Sequence, residues 1–194
     1  LGDRRGVVLL KRRLNMTIPN ILTVFRIVLV PIYLYLFYSS GKERLVYAGT
    51  AFILAGITDV LDGHIARRYD QATDVGAVLD PLADKLMTFA VLISFTMAEL
   101  IPHWILLIIG LKEIVMILGG LILYFAKENQ VLPSNRFGKA ATIFFYASIL
   151  SVILRMRPTV VRILFLAMVI LNIIAFLNYL IIYLYMREQN RSTG

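Results

Sequence analysis

The chain has 194 residues, 59% of them hydrophobic, a formal net charge of +8 and no cysteine. A soluble domain runs nearer about 45–50% apolar, so a water-soluble globule is excluded, and the missing thiols exclude disulfides and thiolate metal sites. The basic residues mostly flank long apolar runs, which suits anionic lipid and speaks against a nucleic-acid partner.

Residues 1–15, "LGDRRGVVLLKRRLN", differ in character from the rest of the chain, and Met16 is a natural initiator. The segment is expected to be a fusion remnant or the stub of an upstream domain. A native basic juxtamembrane helix is the alternative. The first apolar run leads into polar, functional-looking residues and has no small-residue cleavage site, so it is not expected to be a signal peptide.

Six helical spans are predicted in chain order: Asn20–Tyr38, Leu45–Arg67, Val75–Glu99, Pro102–Tyr124, Lys139–Leu154 and Val160–Tyr185. Each approaches the length needed to cross a hydrocarbon core of about 30 Å, the fifth being short. The expectation is an all-α, polytopic membrane bundle of six transmembrane helices, forming one domain over residues 16–194. Twelve of the twenty basic residues fall on one side of these spans and five on the other. Basic residues favour the cytoplasmic side, so both termini are expected inside a cell membrane. Arg26, Lys85 and Lys112 fall within spans, where a charge calls for a functional reason.

The second and third spans carry most of the acid. Asp59 and Asp62 lie three apart, and Asp80 and Asp84 four apart, so each pair shares a helix face. Adjacent antiparallel helices would bring four carboxylates to one depth, near the cytoplasmic face. Such a cluster calls for divalent metal, and all-oxygen ligands suit Mg²⁺ or Mn²⁺ as a pair of ions. Gly63, Ala66 and Gly76 leave room for a nucleotide, and Arg67 offers a fork for a diphosphate. Any one of these small residues, taken alone, is more often a packing residue of a membrane helix. Asp70 and Asp74 are expected to be loop carboxylates. Lys85 lies about 100° around the helix from Asp84 and is expected to point elsewhere.

Asp59, Asp62, Gly63, Ala66, Arg67, Gly76, Asp80 and Asp84 fit the pattern D-x2-D-G-x2-A-R-x8-G-x3-D-x3-D at every position. This resembles the signature of the CDP-alcohol phosphotransferases, whose six-helix fold would cover the chain after Met16. The resemblance implies transfer of a phosphatidyl group from CDP-diacylglycerol to an alcohol, with release of CMP. It also implies a metal held by Asp59, Asp62 and Asp80, and a homodimer in the membrane. Asp84 is the candidate general base, with a further role at the metal. Asp62, Gly63, Ala66, Arg67 and Gly76 would bind the CDP donor.

The segment "IPNILTVFR" (Ile18–Arg26) and the Gly138, Lys139 and Thr142 element resemble the phosphatidylglycerolphosphate synthase branch, and the run "DPLADK" resembles both that branch and its cardiolipin synthase relatives. The implied acceptor is glycerol 3-phosphate, its phosphate bedded by Arg26, Lys112, Arg136 and Lys139. Many members of that branch carry Arg-Glu in the fourth span where this chain reads Lys112–Glu113. Lysine keeps the charge but loses the bidentate fork. A bundle-stabilising ion pair is the other reading of Lys112. Other acceptors considered are phosphatidylglycerol, as in a cardiolipin synthase, and an inositol phosphate. A cation transporter is the remote alternative. Its carboxylates would lie at the midplane, not at one face.

Overall fold

The computed structural model describes residues 17–69, 73–125 and 136–192. The basic segment 1–15 lies outside the described residues. Among the described residues the long elements are all α-helices: α1 (Ile18–Ser39), α2 (Arg44–Tyr69), α3 (Asp74–Met97), α4 (His103–Phe125), α5 (Arg136–Ile153) and α6 (Pro158–Ser192). A short 3₁₀ turn, Gly41–Glu43, joins α1 to α2. Gly41 has φ of 54°, a left-handed conformation that glycine adopts without a Cβ penalty.

Four segments are long and apolar enough to cross a membrane: Ile18–Ser39, Gly41–Ala66, Arg136–Ile153 and Pro158–Ile182. Helix α3 carries Asp80, Asp84 and Lys85, and α4 carries Lys112 and Glu113. The helices fall into two compact units, one through Met97 and one from Ala98.

In the first unit α1 packs on both α2 and α3, while α2 and α3 meet each other over a shorter stretch. The pattern on α1 is inverted relative to a soluble helix. Its buried face reads Asn20, Thr23, Arg26, Leu29, Tyr33 and Phe37, whereas Ile18, Ile21, Val24, Phe25, Val28 and Ile32 are exposed. Lipid, not water, suits that outer face. The inner stripe is polar over its first two turns and apolar beyond. Its apolar half builds the core: Tyr33 and Phe37 stack with centroids 5.9 Å apart, and Phe37 stacks on Phe95 of α3 at 5.9 Å. The Arg44 guanidinium lies 5.2 Å from the Phe37 ring centre, a cation–π contact at the end of this core.

In the second unit α5 and α6 form a closely packed pair, and α4 packs on α6. Ser148 and Ser151 are fully buried, and Asn172 of α6 is nearly so. Their side chains bond back to their own helices, at Phe144 O, Ser148 O and Met168 O. Small and self-satisfied polar residues let apolar helices approach closely in lipid. Helix α5 ends in a Schellman motif. Arg155 N–H donates to Val152 O and Met156 N–H to Ser151 O, with Arg155 at φ 51°.

All six helices depart from their predicted spans by a few residues at one or both ends, and two of these departures have identifiable reasons. Asp74, expected in a loop, opens α3, because Thr73 caps that helix: its Oγ1 accepts the Gly76 N–H at 2.9 Å. Helix α6 runs on past Tyr185 to Ser192, since Met, Arg, Glu and Gln are good helix formers that need no membrane.

Candidate active site

The polar half of the α1 stripe meets the acidic positions of α2 and α3. Asn20, Thr23 and Arg26 recur every three residues, so all three face inward, one above the other.

Arg26 is 2% exposed and lies between two carboxylates of α2. Its Nη2 donates to Asp62 Oδ2. Its Nη1 stands 2.7 Å from Asp59 Oδ1, without the angle of a hydrogen bond. Nε and Nη1 therefore remain buried without hydrogen-bond acceptors. Asp62 is 4% exposed, whereas the Asp59 side chain is 42% exposed. A charge on buried Asp62 needs a cation beside it, and the arginine supplies one. Arg26, expected in the acceptor bed, thus stands against the acidic pair.

Thr23 lies between its own helix and α3. Its Oγ1 is 3.0 Å from Pro19 O and also contacts Asp80 Oδ1. One hydrogen cannot serve both, and the carboxylate is the stronger acceptor. Asn20 completes the stripe. Its Oδ1 accepts from the Thr73 hydroxyl at 2.9 Å, and Thr73 in turn receives the Gly76 N–H. This explains the glycine. A Cβ on Gly76 would stand 2.7 Å from Asn20 Oδ1 and 3.1 Å from Thr73 Oγ1. The space next to Gly76 holds a side chain of this protein.

Asp59 is within Coulombic reach of Asp80 and Asp84, and Asp62 of Asp59 and Asp80. Lys85 Nζ lies 3.2 Å from Asp84 Oδ2, although the backbone directions of the two residues diverge. A four-carbon arm can bend back across that angle, which the helical-wheel expectation for Lys85 left out. Among the described residues, no three acidic or imidazole side chains are drawn together closely enough to hold one metal ion. The donor set is nevertheless all oxygen, as a hard divalent cation requires. A guanidinium already fills a cationic seat between Asp59 and Asp62. In kind and in charge the residues fit such an ion. Gly63 and Ala66 are partly buried on α2 beyond Asp62, and the Arg67 side chain lies outside the described residues.

The remaining candidates belong to the second unit. Lys112 Nζ lies 2.6 Å from Glu113 Oε1, and Glu113 is 5% exposed, so this lysine is held in an ion pair within α4. Arg136 and Lys139 are exposed in the first turn of α5.

Asn20, Thr23, Thr73 and Lys85 were not among the expected site residues. For the first two a signal was present: polar side chains at i and i+3, in phase with Arg26, on an otherwise apolar helix.

A family model described as CDP-alcohol phosphatidyltransferase matches residues 16–185. The chain belongs to this family. Within it, the chain is 41% identical over 125 residues to a Pseudomonas fluorescens protein named CDP-diacylglycerol–glycerol-3-phosphate 3-phosphatidyltransferase, covering 62% of each chain. An Aquifex aeolicus protein of the same name is 35% identical over 140 residues, covering 71% of this chain and 75% of that one. A Streptomyces coelicolor protein named cardiolipin synthase (CMP-forming) is 34% identical over 132 residues, covering 66% of this chain and 60% of the other. The chain spans about three fifths of the length of the Pseudomonas and Streptomyces relatives. All eight residues of the acidic signature lie inside the matched region.

Proposed function

We propose that the chain transfers the phosphatidyl group of CDP-diacylglycerol to glycerol 3-phosphate, giving phosphatidylglycerol phosphate and CMP. The observation that carries this reading is the acidic cluster on α2 and α3, held from α1 by Arg26 and Thr23. Family membership and the names of the Pseudomonas and Aquifex relatives support it.

Asp59, Asp62 and Asp80 would hold Mg²⁺ or Mn²⁺, as a pair of ions, with Asp84 in further contact. Bound there, the ions would neutralise charge developing on the departing CMP. Asp62, Gly63, Ala66 and Arg67 receive the CDP donor, while the space at Gly76 is taken by Asn20. Asp84 takes the proton of the primary hydroxyl of glycerol 3-phosphate. That oxygen forms a bond to the phosphorus bearing diacylglycerol, and the bond from this phosphorus to the CMP oxygen breaks. Lys85, beside Asp84, offsets part of the negative charge there. Lys112, Arg136 and Lys139 of the second unit would bind the acceptor's phosphate.

The enzyme would work as a homodimer, with six spans in the cytoplasmic membrane and both termini inside. An impermeant thiol reagent on intact cells checks the orientation. A cysteine replacing Gly41 should react, and one replacing Arg68 should not; the reverse labelling would invert the topology.

Cardiolipin synthesis is the second reading, favoured by the Streptomyces relative's name. Purified protein given labelled CDP-diacylglycerol decides between them. CMP release with glycerol 3-phosphate and not with phosphatidylglycerol supports the proposal, and the opposite preference transfers the chain to the second reading. No CMP release with either acceptor would sink both and reopen ion transport.

A further inference from the structure

We infer, resting on the proposed phosphatidyl transfer, that Arg26 makes divalent-cation binding and diphosphate binding at this site depend on each other. Arg26 and an incoming cation would claim the same oxygens, those of Asp59 and Asp62. The carboxylates cannot fully serve both. A cation that enters alone must push the guanidinium off its partners, and Arg26, 2% exposed, has no water to retreat into. It needs another anion. Two of its buried nitrogens, Nε and Nη1, already lack acceptors, and a planar guanidinium fork matches phosphate oxygens.

Charge counting leads to the same place. Among the described side chains, four carboxylates against Arg26 and Lys85 leave two negative charges in the cluster. A pair of divalent cations would overshoot neutrality by two. The two negative charges of an esterified diphosphate restore it. Each ligand therefore improves the other's site, and such linkage is reciprocal in binding free energy. Without the diphosphate, Arg26 acts as a built-in competitor that keeps the acidic pair from capturing metal. Removing its charge should strengthen nucleotide-free cation binding. A purely structural arginine, tying α1 to α2, would have no such effect.

The test is a Mn²⁺ titration of the full chain in detergent, reading free Mn²⁺ by electron paramagnetic resonance. It is run with and without CDP, and Mn²⁺ held by CDP in solution is subtracted. In the wild type, CDP should tighten Mn²⁺ binding about tenfold, within the usual range of coupling, and Mn²⁺ should tighten CDP by the same factor. Arg26→Gln and Arg26→Met should bind Mn²⁺ at least about threefold tighter than the wild type without CDP, and lose most of the coupling. Arg26→Lys, which keeps the charge, should retain weak nucleotide-free binding. Independent binding of Mn²⁺ and CDP in the wild type overturns the inference, and that arm needs no variant to fold. So does nucleotide-free Mn²⁺ binding in both uncharged variants that is no tighter than in the wild type. Interdependent binding without CMP release from CDP-diacylglycerol would refute the proposed reaction and leave the role of Arg26 standing. CMP release with independent binding would do the reverse.

Discussion

Thr23 of α1 gives its hydroxyl hydrogen to the carboxylate of Asp80 on α3, from a position with no exposure at all. The bond reaches across 57 residues of sequence and aims one member of the acidic cluster. A hydrogen bond to a charged group contributes about 1.5–3 kcal/mol. Thr23→Val keeps the shape and removes the donor. It should lower kcat/KM for CDP-diacylglycerol by roughly tenfold or more, and Thr23→Ser should restore most of the loss. Equal activity in the valine and serine variants would show that the bond does not matter to turnover.

The close approach of Asn20 to Gly76 leads to a second expectation. In Gly76→Ala the new methyl group would force Asn20 off its bond to Thr73. Overpacking of this kind costs about 1–3 kcal/mol. The variant should melt at lower temperature by intrinsic fluorescence. Adding Asn20→Ala should recover part of the loss, because the two changes share one space. Additive melting shifts in the double variant would mean that the clash is not the cause.

Removing a carboxylate should act on chemistry before it acts on folding. Asp59→Asn and Asp80→Asn are expected to lower turnover roughly hundredfold or more, while size-exclusion profiles stay unchanged. EDTA should stop the wild type, and added Mg²⁺ or Mn²⁺ should revive it. Turnover by either variant near the wild-type rate, or by chelated enzyme, would remove metal from the reading.

The two ends of the substrate pair can be separated by kinetics. Lys139→Ala should raise the apparent KM for glycerol 3-phosphate by roughly ten- to a hundredfold, with a much smaller effect on CDP-diacylglycerol. Arg67→Ala should do the opposite. If both variants weaken the same substrate, the assignment of α2 to the donor and α5 to the acceptor is wrong.

The spans legible in the sequence were those set by length and hydropathy. Leu45–Arg67 lies inside α2, Arg44–Tyr69, because an apolar run in lipid has no choice but to satisfy its backbone internally. The acid pairs were legible because same-face spacing is a local property of one helix. What the residues around them do was not. Arg26 meets Asp62 across 36 residues and Thr23 meets Asp80 across 57, and no local periodicity encodes such pairings. Gly76 shows the same limit from the other side. The sequence marks a place needing space, and only the packing of Asn20 says what fills it. Lys85 adds a further case: a helical wheel locates Cβ atoms, while its ammonium lies several bonds away, beside Asp84.

The polar-to-apolar switch along α1 has a consequence for how the protein is made. Chains emerge from the ribosome amino end first, so α1 reaches the membrane before the aspartates of α2 do. The cation is already waiting when the acids arrive. Asp62 alone in a hydrocarbon setting would oppose insertion by a few kcal/mol, and so would Arg26. If they enter as a hairpin about the turn at Gly41, the two helices cancel each other's penalty. Glycosylation-site mapping of nascent fragments can detect this. A fragment ending after α2 should insert poorly when Arg26 is replaced by Asp, and recover when Asp62 is then replaced by Arg. Unchanged insertion in all three would mean that each helix enters on its own hydropathy. On the hairpin account, Arg26 is a chaperone for its own neighbour before it belongs to any active site.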